Sequence, residues 1–298
     1  MQKLAITAKK ILSIVCPKFL ISLEFYHTFG RKLDWKNPKD INEKINWLKL
    51  YSDTSLWTKC ADKYEVREYV ANCGYPDTLV KLYGKWNRAE DIDWEALPNQ
   101  FVLKVNNGCG DTFVCKDKTK VSKAEIIGYF KAILKSHFAD NNVEPHYALI
   151  KPCIIAEELL SAESQPIETK SLIDYKIWCF NGKPYYFFTC YDRIGDSLSV
   201  ATYDLEWKRH DEKLADVPHY HIASKDIPKP QSLDQMLKIA AKLSEGIPQV
   251  RVDLYEVDKK IFFGEMTFTS AGGFMNYFTQ EFLDELGSYC DLSIAPRK

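Results

Sequence analysis

The sequence predicts a mixed α+β fold in which hairpin strands pack against amphipathic helices. Residues 250–255 alternate apolar and polar side chains, the period of a half-buried strand, and an aromatic-rich run follows at 261–268. Asn181 and Gly182 separate two further apolar runs, which is a strong signal for a tight hairpin turn. Residues 233–243 repeat apolar side chains at helical spacing. Both kinds of element are therefore expected along one chain.

Length and composition limit the class of protein. A chain of 298 residues can bury a large core, as one large domain or two modest ones. With 40 basic and 41 acidic residues and a net charge of −1, it does not resemble a bulk electrostatic nucleic-acid binder. The nine cysteines occur singly, without a C-x-x-C pair, which predicts free thiols in a reducing cytoplasm. Cys109 is interpreted as a small space-filling residue rather than a reactive thiol.

Residues 1–25 are apolar and basic, with no acid before Glu24. Pro17 and Lys18 interrupt the apolar run, which stays shorter than the roughly twenty residues of a membrane-spanning helix. A small-residue cleavage site is missing, so a signal peptide is not expected. Two interpretations stay open: a helix that covers part of the core, and a basic amphipathic segment on an anionic membrane surface.

Residues 26–100 favour helices with one short strand. Amphipathic helices are expected over 40–48 and from Asp53 through Cys60. Helical spacing continues over 62–70, and Gly74 is the expected C-terminal cap of that helix. Residues 79–83 indicate a strand, and 91–97 a short helix or turn. Taken alone, Lys63 on the third helix is an ordinary surface lysine.

A glycine loop lies between two predicted strands at residues 101–105 and 113–115. Its free backbone N–H groups suit an anion, and Lys104 at its edge adds a positive charge for phosphate. The G-K-[ST] element of a Walker loop is missing. A plain hairpin turn explains the loop equally well.

The middle of the chain predicts further strands and helices. A helix capped by Ser122 is expected to run to about Phe138, and strands are expected at 154–160, 174–180 and 185–188. Arg193 and residues 207–209 lie in a stretch interpreted as an irregular substrate loop. His219 and His221 have no further ligand nearby, which argues against a metal site there. Ser232 is the expected cap of the helix at 233–243.

The hairpin at 250–268 carries charged residues inside apolar strands. Arg251 and Asp253 point to one face, and Glu265 lies in the following strand. A three-residue loop of 258–260 would set Asp253 opposite Glu265, whereas a two-residue loop requires a bulge to do so. Such a carboxylate pair suits a hard cation beside a guanidinium. An ordinary hairpin with a buried Arg–carboxylate pair is the competing interpretation.

The order of these pieces resembles the ATP-grasp superfamily. The stretches that carry the resemblance are ADKYEVREYV, FVLKVNNGCG, DYKIWCFNGKPYYFF, YDLEW and FGEMTFTSAGG. They are most similar to the TupA-like group, linked to teichuronopeptide and other cell-surface polysaccharide synthesis, and D-alanine–D-alanine ligase has the same order of parts. The resemblance implies two α+β subdomains that clasp ATP, at 57–156 and 157–275. A helical segment at 1–56 precedes them, and a C-terminal helix and tail at 276–298 follow.

The resemblance also implies a role for each matching residue. The implied nucleotide-binding residues are Lys63, Lys104, Asn107, Gly108, Gly110, Thr112, Glu157, Glu158, Leu160, Asp174 and Lys176. Among them, the two lysines at 63 and 104 would hold the phosphates and Asp174 the ribose hydroxyls. The implied magnesium ligands are Asp253, Glu265 and Thr267, the last where many members have asparagine. Arg251 would stabilise charge on the reacting acyl group.

The implied reaction is that of an ATP- and Mg²⁺-dependent carboxylate–amine ligase that forms an amide through an acyl phosphate. Its expected substrates are a uronic acid of a cell-surface glycan and an amino acid or other amine, in the cytoplasm. Three alternatives stay open: an ATP-grasp kinase, a nucleotide-binding scaffold and a glycosyltransferase. A D-x-D sugar-nucleotide site would favour the last of these, and Asp91-Ile92-Asp93 is the only such triplet.

Overall fold

The computed structural model describes residues 2–108, 110–135, 143–194 and 197–298. Cys109, Phe138 and the side chain of Arg193 lie outside the described part of the chain. The described helices are α1 (Gln2–Val15), α2 (Pro17–Phe29), α3 (Ile41–Tyr51), α4 (Ser55–Ala61), α5 (Val66–Asn72), α6 (Lys123–Ile133), α7 (Pro145–Ala148), α8 (Leu233–Leu243) and α9 (Gln280–Tyr289). The described strands are β1 (Leu82–Trp86), β2 (Phe101–Val105), β3 (Thr112–Cys115), β4 (Ile154–Glu157), β5 (Asp174–Phe180), β6 (Lys183–Ile194), β7 (Ser197–Tyr203), β8 (Tyr220–Ile222), β9 (Val250–Val257) and β10 (Lys260–Thr267).

The chain divides into two compact units. Unit 1 comprises Met1–Thr54, Asn141–Glu144 and Ala162–Lys298, and unit 2 comprises Ser55–Asp140 and Pro145–Ser161. Each unit has a sheet of its own together with helices, so the predicted α+β class is confirmed. The predicted helical N-terminal segment is present as well.

Unit 1 is built on a six-stranded sheet in the order β10-β9-β5-β6-β7-β8. Neighbouring strands are antiparallel except β7 and β8, which run parallel. The amphipathic helix α8 packs against this sheet through apolar side chains that include Met236 and Ile239. The face that carries Trp178 and Phe188 is covered by Tyr277 and Phe278. The charged residues of the predicted metal site lie on that second face.

Unit 2 is built on a four-stranded antiparallel sheet in the order β1-β4-β2-β3. Phe101 and Leu103 of β2 are buried against Ile126 and Phe130 of α6. Strand β2 alternates buried and half-buried side chains, so Lys104 points away from this core. The sheet therefore presents Lys104 on its other face.

The sequence placed several elements correctly. Asn181 and Gly182 form a two-residue turn with φ of 46° and 77°, as the type I′ signal predicts. The side chains of Asp40 and Ser122 cap α3 and α6 by accepting from the backbone N–H groups of Glu43 and Glu125. The helix expected at 233–243 and the strand expected at 174–180 have the predicted bounds.

Other predictions were wrong for identifiable reasons. The helix expected over 62–70 is interrupted, because Asp62 Oδ1 accepts from the N–H groups of Tyr64 and Glu65 and forms a turn before α5. Ser232 does not cap α8, since its hydroxyl binds the Glu256 carboxylate.

Two strand predictions and one prediction of an irregular stretch also need correction. The strand expected at 79–83 lies at Leu82–Trp86, and the one expected at 154–160 ends at Glu157. The stretch expected to be irregular contains β7, a strand of the six-stranded sheet. Within it, Trp207 stacks on Tyr203 and Arg209 binds Asp211 and Asp226, so both side chains are held in place.

In the described part of the chain, every helix is too short or too polar to cross a lipid bilayer.

Candidate active site

Five charged residues meet on one face of the sheet in unit 1. Asp253 of β9 is paired in register with Lys176 of β5 on one side and with Glu265 of β10 on the other. Arg251 donates two hydrogen bonds of 2.7 Å to Asp253, from Nε to Oδ1 and from Nη2 to Oδ2. The Lys176 ammonium lies 2.5 Å from Asp253 Oδ2 and 2.7 Å from Asp174 Oδ2. The buried Asp253 thus holds two cations in place.

The turn between β9 and β10 determines how Asp253 comes to lie opposite Glu265. Its turn has two residues, Asp258 and Lys259, with φ of 50° and 65°. The alternative with a three-residue loop is therefore wrong, and a bulge between Phe263 and Glu265 restores the pairing of Glu265 with Asp253. The bulge is at Gly264, where a Cβ would lie only 3.0 Å from the Asp253 carbonyl oxygen. Glycine at this position lets both carboxylates share one face.

Electrostatics keep the two cations protonated. Burial alone would lower the pKa of Lys176, but the Asp174 and Asp253 carboxylates outweigh it and raise that pKa well above its ordinary value. The pKa of Arg251 is likewise raised by Asp253 and Glu265 against the effect of burial. Burial raises the pKa of Asp253, and the neighbouring Arg251 and Lys176 oppose that rise. Asp253 thus lies between two buried side chains that stay positively charged.

The side chain of Glu265 is the most accessible member of this cluster, with 43% of its surface exposed. Its Oε1 lies 3.3 Å from Arg251 Nη2 and accepts from the Thr267 hydroxyl at 3.1 Å. The same hydroxyl oxygen accepts from Arg251 Nη2 at 3.0 Å. Thr267 therefore bridges the guanidinium and the carboxylate, and its role as a metal ligand stays a prediction.

The donor set is compatible with Mg²⁺. The described residues contain no group of three His, Cys, Asp or Glu side chains that would hold a metal by themselves. In a nucleotide-binding protein Mg²⁺ requires fewer than three protein ligands, because it commonly binds one or two carboxylates and completes its coordination shell with phosphates and water. Glu265 and the remaining lone pairs of Asp253 fit that requirement.

A short turn at Ser270–Gly273 continues the network beyond β10. Arg251 Nη1 donates to Ser270 Oγ at 3.2 Å. Helix α3 holds the next residues: Lys49 Nζ donates to the Gly272 carbonyl and Asn46 Nδ2 to the Gly273 carbonyl, both at 2.8 Å. The buried Asn42 exchanges two hydrogen bonds with the Met275 backbone.

Sequence reasoning missed this polar face of α3, which is Asn42, Asn46 and Lys49. The three residues follow at intervals of four and three, so they share one side of the helix. In a sequence, such a stripe is indistinguishable from a solvent-facing surface. In the structure all three side chains are buried.

Unit 2 has a second charged cluster, centred on Glu157 of β4. Lys104 Nζ lies 2.6 Å from Glu157 Oε2, and Arg67 Nη1 lies 3.1 Å from Glu157 Oε1. Arg67 also donates to the Val80 carbonyl at 2.8 Å. The sequence did not single out Arg67, although it follows Lys63 by four residues in a stretch expected to be helical. The two cations on one buried carboxylate resemble the pattern around Asp253.

The predicted glycine loop begins at Asn106, whose side chain is fully hydrogen-bonded to neighbouring segments. Asn106 donates to Asp62 and to the Lys151 carbonyl, and it accepts from the Cys153 N–H. Lys63 lies in the turn before α5 and donates from Nζ to the Gly108 carbonyl at 2.6 Å. Asn107 and Gly108 are buried, whereas Gly110 and Thr112 are exposed. Lys63 and the start of the loop are thus in contact, and their role in binding phosphate stays a prediction.

The remaining predicted nucleotide residues are divided between the units. In unit 2, Glu158 is exposed and donates its N–H to the Lys81 carbonyl, and Leu160 is half-buried. In unit 1, Asp174 lines a pocket of about 200 Å³ together with Tyr191 and Tyr255. The nucleotide roles of these residues stay predictions.

Comparison with known families identifies the chain. The family described as TupA-like ATPgrasp matches residues 43–291, a span that includes both charged clusters. The chain belongs to this TupA-like ATP-grasp family. The family match begins within α3, so it leaves α1 and α2 outside.

Several solved structures are distantly similar to this TupA-like ATP-grasp chain. D-alanine–D-alanine ligase from Bacillus anthracis complexed with ATP is 12% identical over 73% of this chain and 56% of its own, with a TM-score of 0.40. The D-alanine–D-alanine ligase from Helicobacter pylori is 13% identical over 84% and 69%, with a TM-score of 0.44. The L-amino acid ligase from Bacillus licheniformis is 11% identical over 87% and 57%, with a TM-score of 0.47.

The matched part thus spans little more than half of the first and third of these ligases. The curated proteins of known function yield no match.

Proposed function

We propose that the protein is an ATP- and Mg²⁺-dependent carboxylate–amine ligase. The observation that carries this proposal is the cluster on the sheet of unit 1, where Asp253 and Glu265 are paired across two strands beside Arg251 and Lys176. Two carboxylates next to two buried cations suit a reaction in which negative charge moves between phosphate and acyl oxygens. Membership of an ATP-grasp family supports the same choice.

The proposed reaction has two steps. A substrate carboxylate oxygen attacks the γ-phosphorus of ATP, and ADP leaves as an acyl phosphate forms. The amine nitrogen then attacks the acyl carbon, inorganic phosphate leaves, and the nitrogen gives up a proton. When bound, Mg²⁺ supplies positive charge that neutralises the phosphates.

Each named residue has a proposed part in that reaction. Asp253 and Glu265, with Thr267 as a weaker third donor, hold the metal, and Arg251 stabilises negative charge on the reacting acyl oxygen. Lys176 is close enough to Asp253 to balance its charge before the nucleotide arrives. In unit 2 the proposed phosphate-binding groups are Lys63, Lys104 and the loop residues Asn107, Gly108, Gly110 and Thr112. The proposed base- and ribose-binding residues are Glu157, Glu158, Leu160 and Asp174.

We propose a uronic acid of a cell-surface polysaccharide as the carboxylate substrate and an amino acid or other amine as the partner. This substrate class rests on the resemblance of the sequence to the TupA-like group alone. We propose a cytoplasmic location, which the use of ATP and the free thiols support. Nucleic acid is not a proposed partner, because the net charge is −1. The proposed catalytic part is residues 57–275, which divides along the sequence into 57–156 and 157–275. A helical segment at 1–56 precedes it, and a C-terminal helix and tail at 276–298 follow it.

A screen for ADP release tests the reaction class. The purified full chain is mixed with ATP, Mg²⁺, a panel of uronic acids and a panel of amino acids, and mass spectrometry identifies the product. A ligase releases ADP continuously only when both substrates are present, and the product gains the mass of an amide. Sustained ADP release with one substrate and a phosphorylated product would show a kinase instead. Hydrolysis of UDP-sugars without ATP would show a glycosyltransferase.

Binding of ATP tests the role proposed for unit 2. Replacing Lys104 with alanine is expected to weaken Mg²⁺-dependent ATP binding by about tenfold to a hundredfold, since a charge-assisted hydrogen bond is lost. Calorimetry measures the dissociation constant. Lys120→Ala is the matched control, because the side chain of Lys120 is 81% exposed on the same unit. Equal binding by the Lys104→Ala variant and wild type would remove Lys104 from the nucleotide site.

A further inference from the structure

The two N-terminal helices form a hairpin that the ATP-grasp family does not explain. The family match begins at residue 43, whereas α1 and α2 end at Val15 and Phe29. Lys9 of α1 pairs with Glu24 of α2 at 2.7 Å, so the chain folds back between the two helices. Leu20, Ile21 and Phe25 anchor α2 in a buried cluster of unit 1, and Leu12 of α1 packs against that cluster.

The outer side of this hairpin is apolar. We define the N-terminal apolar face as the exposed side chains Ile11, Ile14, Val15, Phe19, Leu23 and Tyr26. On α1, Ile14 and Val15 follow Ile11 by three and four residues, and on α2 the side chains follow at intervals of four and three, which gives one stripe per helix. Ile14 is 73% exposed and Phe19 59%. Because α2 also buries apolar residues on its inner side, this helix is apolar on both sides.

The charges around this face decide what it contacts. Residues 1–33 contain six basic residues and one acid, Glu24, in a chain whose net charge is −1. The single acid is paired with Lys9, and Lys10 and Lys18 are exposed next to the apolar stripes. A second copy of the chain on this face would bring one basic region against another. An anionic lipid surface has the complementary charge and accepts apolar side chains at the same time.

We propose that the hairpin of α1 and α2 binds the surface of an anionic bilayer, with the N-terminal apolar face inserted at the boundary of headgroups and acyl chains. This contact is peripheral, because no described helix crosses a membrane. Apolar burial of Ile14 and Phe19 supplies part of the binding free energy, and attraction between the basic residues and the anionic headgroups supplies the rest. The inference is independent of the reaction that the protein catalyses.

Sedimentation of the full chain with vesicles tests this inference. The wild type is expected to bind vesicles of phosphatidylcholine mixed with phosphatidylserine, and to bind pure phosphatidylcholine far less. Added salt is expected to weaken the binding. The double variant Ile14→Glu, Phe19→Glu is expected to lose at least about tenfold in affinity, because two apolar contacts become charged.

Leu149→Glu is the matched control, since Leu149 is 72% exposed but lies in unit 2. This variant is expected to bind vesicles as the wild type does. Circular dichroism and ATP binding check that both variants stay folded. The inference is overturned if wild type ignores the anionic vesicles, or if the double variant binds them equally well. It is also overturned if light scattering shows that the wild type is a dimer that does not bind vesicles, and that the double variant is a monomer.

Discussion

Replacing Asp253 with asparagine is expected to lower the rate of ATP-dependent ADP release by at least about 10³-fold, because the proposed site loses a carboxylate ligand for the Mg²⁺ that would neutralise the reacting phosphates. The substitution keeps the size of the side chain but removes the charge between Arg251 and Lys176, which both bind this carboxylate at 2.7 Å or less. Removing one partner of a buried ion pair is also expected to lower the free energy of unfolding by about 3–5 kcal/mol. Steady-state kinetics and urea denaturation measure the two effects separately.

Two further variants distinguish loss of function from loss of fold. Glu265→Gln is expected to reduce turnover strongly with a smaller loss of stability, since Glu265 is half-exposed. Glu256→Gln changes the same strand as Asp253, but on the other face, where Glu256 binds Ser232. That control is expected to keep normal turnover. Normal turnover in the Asp253→Asn variant would contradict the proposed metal site.

The sequence predicted more of the hairpin at 250–268 than of its surroundings. Alternation of apolar and polar residues specifies which side chains share a face, so the sequence alone places Arg251 and Asp253 on the same side of β9. The pairing of Asp253 with Glu265 depended on the turn length, and local pattern does not distinguish a two-residue turn with a bulge from a three-residue turn. Gly264 was the available signal, because a glycine inside a strand often marks a bulge.

The contacts between distant segments could not be predicted in the same way. Glu157 pairs with Lys104 and Arg67, which lie 53 and 90 residues before it in the sequence. Lys104 comes close to Glu157 only because β2 pairs with β4. The polar face of α3 depends on contacts that are even more distant in sequence. Its three side chains bind the backbone of residues 272–275, more than two hundred residues later, so their burial depends wholly on tertiary structure.

Burial of Lys49 in that face is expected to make the stability of the protein depend on pH in the alkaline range. Burial lowers the pKa of Lys49 from 10.5 to about 8, although Glu144 and Glu24 oppose the shift. Between these two pH values the unfolded chain binds one more proton than the native protein, so alkaline pH favours the native state. The neutral amine still has N–H groups to donate to the Gly272 carbonyl, which it reaches at 2.8 Å.

Lys49→Met removes this titration, and urea denaturation of both proteins at a series of pH values measures its effect. From pH 8 to pH 10.5 the free energy of unfolding of wild type is expected to rise by roughly 3 kcal/mol relative to the variant, with a steepest slope of about 1.4 kcal/mol per pH unit between the two pKa values. Lys131→Met, at an exposed lysine of α6, is the control and is expected to follow wild type. A constant difference between wild type and Lys49→Met would mean that Lys49 keeps its proton in the native state. In that case the amine would be charged where it contacts the Gly272 carbonyl, in the same turn whose Ser270 accepts a hydrogen bond from Arg251.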